Sequence, residues 1–232
     1  MDLLKEAGLL PNVEQQHFMQ KGGAVFLRGA ETCNFDFSSQ FTAGWSYTYQ
    51  VPRAEFDKTL ADGVAAKGVE ILYGHGVTAI SFDAANATVT VQQPDGTLQT
   101  VTARFVLDCS GYGRVLPRLL ALEEPSHLPV REALFTHITG DRRPVGREEG
   151  KIWICMHPGG AWIWIIPFSD GRTSVGAVAT PEFFTQYPGT PEESLRAILA
   201  SDPNAAPRLA ATKFQFSPQQ ISGYACSVKQ LY

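Results

Sequence analysis

The sequence predicts an α/β portion interleaved with a largely antiparallel sheet portion. Three observations carry this. A helix-period stretch, RAEFDKTLADGVAAKG from Arg53, leads into a run of short strands joined by tight turns. Segments of β texture lie on both sides of that block, at 23–51 and 131–180. Between 161 and 168 the run AWIWIIPF alternates bulky residues along a single strand that a proline closes. Sheet pieces flanking a helix–meander block point to two interleaved parts rather than to successive beads.

The elements follow in order. Residues 2–9 place Leu3, Leu4 and Leu9 on one helical face, with Gly8 and Pro11 ending the turn. GAVFLR (23–28) reads as a short strand, and Thr42–Val51 as a half-buried strand of alternating aromatic and polar residues. Pro52 suits the first position of a helix, where its missing N–H costs nothing. Phe56, Leu60 and Val64 then form an apolar stripe, and Gly68 ends the helix. VEILYG (69–74) reads as a strand. VTAISFD, ATVTVQQ and LQTVTARFVLD read as a meander with turns at Ala84–Asn86 and Pro94–Gly96. FVLD runs straight into CSGYGR and a helix reaching Leu122. EALFTHITG, GKIWICMH, WIWIIP and RTSVGAVAT are strands, the last two joined by the hairpin dipeptide Asp170–Gly171. PEESLRAILAS and DPNAAPRLAATK close the chain's helical complement.

Composition sets the class. The chain has 232 residues, 44% hydrophobic and 18% charged, enough to bury a sizeable core. Its net charge is −4 with Lys and Arg scattered, which argues against a nucleic-acid footprint. No apolar run has the length of a bilayer span, and MDLLKEAGLLPNVEQQ lacks the layout of a secretory signal, so a cytoplasmic protein is expected. Four widely spaced cysteines without a CxxC pair, and five isolated histidines, disfavour zinc and point to free thiols.

Four places could carry chemistry. Alternation sends Trp162 and Trp164 to one strand face and Ile163 and Ile165 to the other. The tryptophans either fill a core or form a rigid aromatic wall beside a reactive centre. FVLDCSGYGR (105–114) ends an apolar stretch in Asp108, then small residues; exposed N–H groups at such a turn suit phosphate, while the plain alternative is an ordinary strand-to-helix turn. It is not a dinucleotide fingerprint, because the third glycine position is Leu116. Arg53 opens a helix, where the dipole disfavours a cation unless a fixed anion compensates; otherwise it is a solvated surface arginine. Lys21, before Gly22 and Gly23, sits either in a partly dry cavity that lowers its pKa or in an exposed turn.

Taken together, in order along almost the whole chain, these stretches resemble the flavin-dependent halogenases. That family lies within the FAD-dependent aromatic hydroxylase-like flavoproteins. WIWIIP (162–167) fits the family's WxWxIP signature at every fixed position. PRAEFDKTLADGVAAKGVEI resembles its arginine-bearing helix, FVLDCSGYGR its turn beside the cofactor, and SDGRTSVGAV the stretch after its tryptophans. The resemblance implies a partial FAD-binding domain over 1–20 and 52–125. An antiparallel-sheet substrate domain over 21–51 and 126–215 would interleave with it, and 216–232 would turn back towards the FAD domain.

The resemblance also implies roles. Lys21, five residues ahead of Phe26, corresponds to the catalytic lysine. Arg53, Asp108, Ser110 and Gly111 would contact FAD, and Trp162, Trp164, Ile166 and Pro167 would wall a tunnel between flavin and substrate. Reduced FAD from a separate flavin reductase, with O₂ and halide, would yield hypohalous acid, which the lysine delivers to an electron-rich aromatic. That aromatic would be phenolic or carrier-protein-bound. The family's glycine-rich start, its Gly-Asp segment and the lysine's acidic partner would lie outside these residues, so the middle of a longer enzyme is expected. Two alternatives remain: an FAD oxidoreductase or monooxygenase without halogenation, and a non-catalytic remnant acting as a binding module.

Overall fold

Trp162–Pro167 is an inner strand of an eight-stranded sheet, in a computed structural model that describes residues 1–230. The order across the sheet is Lys213–Phe214, Glu132–Thr139, Arg172–Ala179, Trp162–Pro167, Ile152–Met156, Gly23–Arg28 and Glu31–Asp36. Gln219–Ser222 also pairs with Glu132–Thr139. Every pairing is antiparallel except that of Ile152–Met156 with Gly23–Arg28. Two compact units result: residues 1–69 with 130–222, and residues 70–129 with the segment from 223 onward.

The period of two decides which face of this sheet becomes the core. Ile163, Ile165 and Pro167 are buried, whereas Trp162, Trp164 and Ile166 lie on the opposite face. Ile163 and Ile165 join Val175, Ala177 and Ile138 in one cluster with Leu195 and Ile198 of the helix Pro191–Ser201. That helix is started by Pro191 and a reciprocal cap: Thr190 Oγ1 accepts from the Glu193 N–H at 3.3 Å, and the Thr190 N–H donates to Glu193 Oε2 at 2.8 Å. So the core is mainly aliphatic, with Phe183 buried in it and Trp153 packed against it, and neither Trp162 nor Trp164 fills it.

A buried ionic knot holds the end of the sheet. Asp141 and Arg208 have side chains only 1% and 2% exposed. Asp141 accepts from Arg208 Nη2 at 3.0 Å, from Arg143 Nε at 3.2 Å and from Thr173 Oγ1 at 2.8 Å. Arg143 also donates to the carbonyls of Phe168 (2.8 Å) and Arg172 (2.6 Å), so the knot fixes the hairpin at the end of the tryptophan strand.

The second unit contains the antiparallel meander Gly76–Phe82, Ala87–Gln92 and Leu98–Ala103. Its turns are closed by carboxylates: Asp83 accepts from the N–H groups of Ala85 and Asn86, and Asp95 from that of Thr97. A short helix, Val115–Leu119, and the pairing of Glu123–Glu124 with Ser227–Val228 complete it.

Several sequence expectations need correction. Only Thr48–Gln50 of the 42–51 stretch is a strand, paired with Met19–Lys21. Trp45, Tyr47 and Tyr49 stack edge-on at 5.8 and 5.7 Å instead. Pro52 is the N-cap of Arg53–Ala65 rather than its first residue, and the helix after the 105–114 stretch ends at Leu119, not Leu122. Neither 69–74 nor 105–108 forms a strand. Apolar extended segments need a neighbouring strand for their backbone groups, and none among the described residues provides one. Phe105 and Leu107 stand 76% and 77% exposed.

Compactness also divides the chain differently from the expected domains. It groups 1–20 and 53–65 with the large sheet. There Phe18 meets Phe56 edge-on at 6.3 Å and Gly63 admits the Leu9 side chain. Residues 219–222 belong to that sheet as well.

Removing one partner of the ionic knot leaves a buried charge unpaired. Asp141→Ala is expected to cost about 3–5 kcal/mol in urea unfolding. Asp141→Leu combined with Arg208→Met should recover most of it; a loss below about 1 kcal/mol for the single variant would remove the knot's structural role.

Candidate functional site

The face of the sheet away from the core forms the floor of a cleft of about 780 Å³. Register brings its residues together across strands. His137 faces Ser174, which faces Ile166; Phe135 faces Gly176, which faces Trp164. Lys21, Tyr49 and Gln50 reach the same cleft from the small two-stranded sheet, and Phe168 and Phe216 from flanking loops.

Trp164 is held on three sides. Its Nε1–H donates to Ser174 Oγ at 3.0 Å, and its ring lies tilted on Phe135 with centroids 5.9 Å apart. Beneath it, a Cβ at Gly176 would stand 2.5 Å from Trp164 Cη2 and 2.6 Å from the Phe135 Cβ. No side chain fits there, so glycine lets the indole lie flat across the neighbouring strand. Ile166 lines the cleft beside it. Trp162 shares that face but is 43% exposed and does not line the cleft, while Pro167 points to the core side.

Lys21 is half-buried at the end of Met19–Lys21, and burial holds its ammonium pKa below the ordinary lysine value. Its Nζ lies 5.7 Å from the centre of the Phe37 ring, and among the described residues no carboxylate pairs with it. Two contacts fix its strand. A Cβ at Gly150 would collide with the Gln20 carbonyl, so only glycine permits that close approach. Gln50, on the paired strand, donates from Nε2 to the carbonyls of Gly150 (3.1 Å) and Pro167 (3.0 Å), tying the lysine's sheet to the end of the tryptophan strand.

Arg53 also borders this cleft, with an exposed guanidinium that bonds Asp57 one helical turn on, Nε to Oδ1 and Nη2 to Oδ2, each at 3.1 Å. At the rim Arg172 bridges Glu55 (3.0 Å) and Asp170 (2.6 Å). His137 is clamped between Phe168 and Phe216, both at 5.2 Å between ring centres. Burial, aided by the Arg172 charge, holds its pKa down, so it is neutral near pH 7.

Asp108, Ser110 and Gly111 lie in the other unit, lining a separate cavity of about 910 Å³ with Arg114 and Cys226. The Asp108 carboxylate accepts from the N–H groups of Ser110 (2.8 Å) and Leu116 (2.9 Å), and Ser110 Oγ accepts from that of Val115 (2.9 Å). Hydrogen bonds from Ser110 lower the Asp108 pKa, keeping it ionised and the turn tight. Gly111 has φ +54°, and nothing lies within 4 Å of where its Cβ would be.

The structure thus brings Lys21, Arg53, Trp164 and Ile166 to one cleft and Asp108, Ser110 and Gly111 to another cavity. Phe135, His137, Ser174 and Gly176 escape the sequence reading. EALFTHITG and RTSVGAV put each pair on one strand face, but the register that sets them against Trp164 is a tertiary fact.

The tryptophan halogenase family profile matches residues 16–220. A tryptophan 2-halogenase from Chondromyces crocatus is 30% identical over 193 residues, covering 82% of this chain and 36% of that protein. A solved structure described as a flavoprotein/dehydrogenase from Cytophaga hutchinsonii is 47% identical with a TM-score of 0.94, covering all of this chain and 57% of that one. The myxobacterial chondrochloren halogenase, described as FAD-dependent, is 25% identical with a TM-score of 0.87, over 99% of this chain and 54% of that one. The chain therefore spans little more than half, or less, of the proteins it matches. A cleft of aromatic walls and one half-buried lysine, with a family match running through both units, leads to one identification: the chain belongs to the tryptophan halogenase family.

Proposed function

We propose that these residues supply the substrate cleft and part of the flavin site of an FAD-dependent enzyme that halogenates an electron-rich aromatic ring. The observation that carries the reading is Lys21: a half-buried lysine without a carboxylate partner among the described residues, in one cleft with Trp164, Ile166 and Phe135. A solvated surface lysine gains nothing from aromatic walls, whereas a reactive one needs a dry, shaped cavity.

The residues of the second unit fit a flavin's polar edge. The Asp108–Gly111 turn is tight, its Gly111 leaves open space for close approach, and its cavity is large. FAD, when bound, supplies oxidation of halide by O₂, and a flavin reductase would deliver it reduced. Arg53 borders the cleft of the first unit, where it would hold an anionic group by exchanging Asp57 for a phosphate, a swap between two bidentate partners.

The chain's own residues do the rest. Flat walls of Trp164, Phe135, Phe168 and Phe216 hold an aromatic ring and exclude water. Lys21 Nζ donates a hydrogen bond to hypohalous acid and holds it against a ring carbon. The carbon gains the halogen and loses its proton; the oxygen leaves as water. Trp164 cannot swing aside, so the cleft keeps its shape through the transfer.

A second reading, flavin-linked oxidation or oxygenation without halide, is favoured by the dehydrogenase description of the solved relative at 47% identity. Halide consumption separates the two. In the full-length protein with reduced FAD, flavin reductase, O₂ and chloride or bromide, Lys21→Met is expected to lower halogenation by at least about 10²-fold while flavin oxidation is unchanged. Equal halogenation by the variant would sink the lysine's role, and no halide use by the wild type would leave the second reading.

Lys21 also makes an expectation on stability. A lysine whose folded pKa lies below its unfolded value opposes folding at any pH below the unfolded one, because the folded chain disfavours the charged form. That penalty is full below the folded pKa and fades as pH rises through it. At neutral pH Lys21→Met should therefore raise the melting temperature, a gain that shrinks at alkaline pH. A lowered melting temperature at pH 7 would contradict burial of the charge.

A further inference from the structure

The same cleft is not uniformly apolar. His137 and Ser174 are directly opposed on neighbouring strands, on the cleft face and next to the Trp164 wall. His137 Nδ1 is buried and has no hydrogen-bond partner among the described residues. A proton there would be a buried, unsatisfied donor, so the neutral ring carries its proton on Nε2, the nitrogen left to face the cleft. Ser174 Oγ already accepts the Trp164 indole N–H at 3.0 Å, which leaves its own proton to donate. The charges around the histidine are engaged among themselves: Arg172 bridges Asp170 and Glu55 at the rim. Two neutral donors on directly opposed residues of one cleft face, which make no hydrogen bond to each other among the described residues, form a seat for an oxygen.

We infer that His137 and Ser174 together select substrates carrying an oxygen on the aromatic ring, a phenol bound through that oxygen as its anion or as the neutral hydroxyl. The inference rests on the cleft being the substrate site, and it narrows the substrate class to phenols. Donors at the oxygen favour the phenolate, whose electrons flow to the ortho and para carbons, and these are the positions an electrophilic halogen attacks. A ring with no such oxygen would leave both donors unpaired against an apolar surface.

Titration of the protein with 4-methylphenol and with 1,4-dimethylbenzene tests this without flavin or halide. The two probes have the same shape and differ in one oxygen. The phenol is expected to bind at least about tenfold tighter. Ser174→Ala and His137→Phe should each reduce that preference to about threefold or less, while His137→Gln, which keeps an N–H donor, should retain more of it than the phenylalanine. If His137→Phe does not fold, Ser174→Ala alone decides. Equal affinity for the two probes, a preference untouched by both changes, or no saturable binding of 4-methylphenol would each overturn the inference. Halogenation that persists with an unchanged phenol preference in both variants would remove the donor pair and leave the halogenase reading standing. Phenol selection lost with either donor, in a protein that never consumes halide, would do the reverse.

Discussion

A missing Cβ at Gly176 governs the position of Trp164, and much of the cleft follows from where that indole lies. The strand Trp162–Pro167 must put alternate residues on alternate faces, and the helix Pro191–Ser201 claims the isoleucine face for the core. The tryptophan face is then free to become a wall. An indole standing upright on that face would occupy the cleft, whereas Gly176 lets it lie across the next strand, hydrogen-bonded to Ser174 and leaning on Phe135. Aliphatic packing on one side and a backbone vacancy on the other thus turn two adjacent strands into both core and cavity floor.

Around that floor, polar groups are placed by burial rather than by long-range charge. The Asp141–Arg208–Arg143 knot closes the sheet where Phe168 and Arg172 turn towards the cleft. Gln50 joins the lysine's strand pair to the carbonyl of Pro167. Lys21 keeps a partly desolvated ammonium with no carboxylate near it among the described residues, a state that costs stability and that a structural lysine has no reason to adopt. The buried Lys151 makes the contrast: it is paired with Asp36, Glu148 and Asn34. Two lysines in one unit therefore mark the difference between a charge that is satisfied and one that is available.

Much of this was legible in the sequence, and the parts that were not share a cause. The period-two strands at 132–139, 152–156, 162–167 and 172–179 could be read because each must serve two faces. The helix Arg53–Ala65 and the Asp-Gly hairpin follow from local chemistry. Residues 69–74 and 105–108 failed for the opposite reason. Their apolar character asks for neighbouring strands, and the residues described provide none. Trp162 and Trp164 look equivalent in the sequence, yet only Trp164 lines the cleft, because strand position relative to the Lys21 sheet is set by tertiary pairing. His137, Ser174 and Gly176 were invisible for the same reason: their meaning lies in register.

The most direct measurement is hydrogen exchange at the Trp164 indole N–H, followed by NMR in the wild type and in Gly176→Ala. A fixed indole should protect that proton through its bond to Ser174, and the added methyl should speed exchange by at least about tenfold as the ring is driven off its seat. Equal exchange rates in the two proteins would contradict it, showing a ring that was never fixed or one that the methyl does not displace.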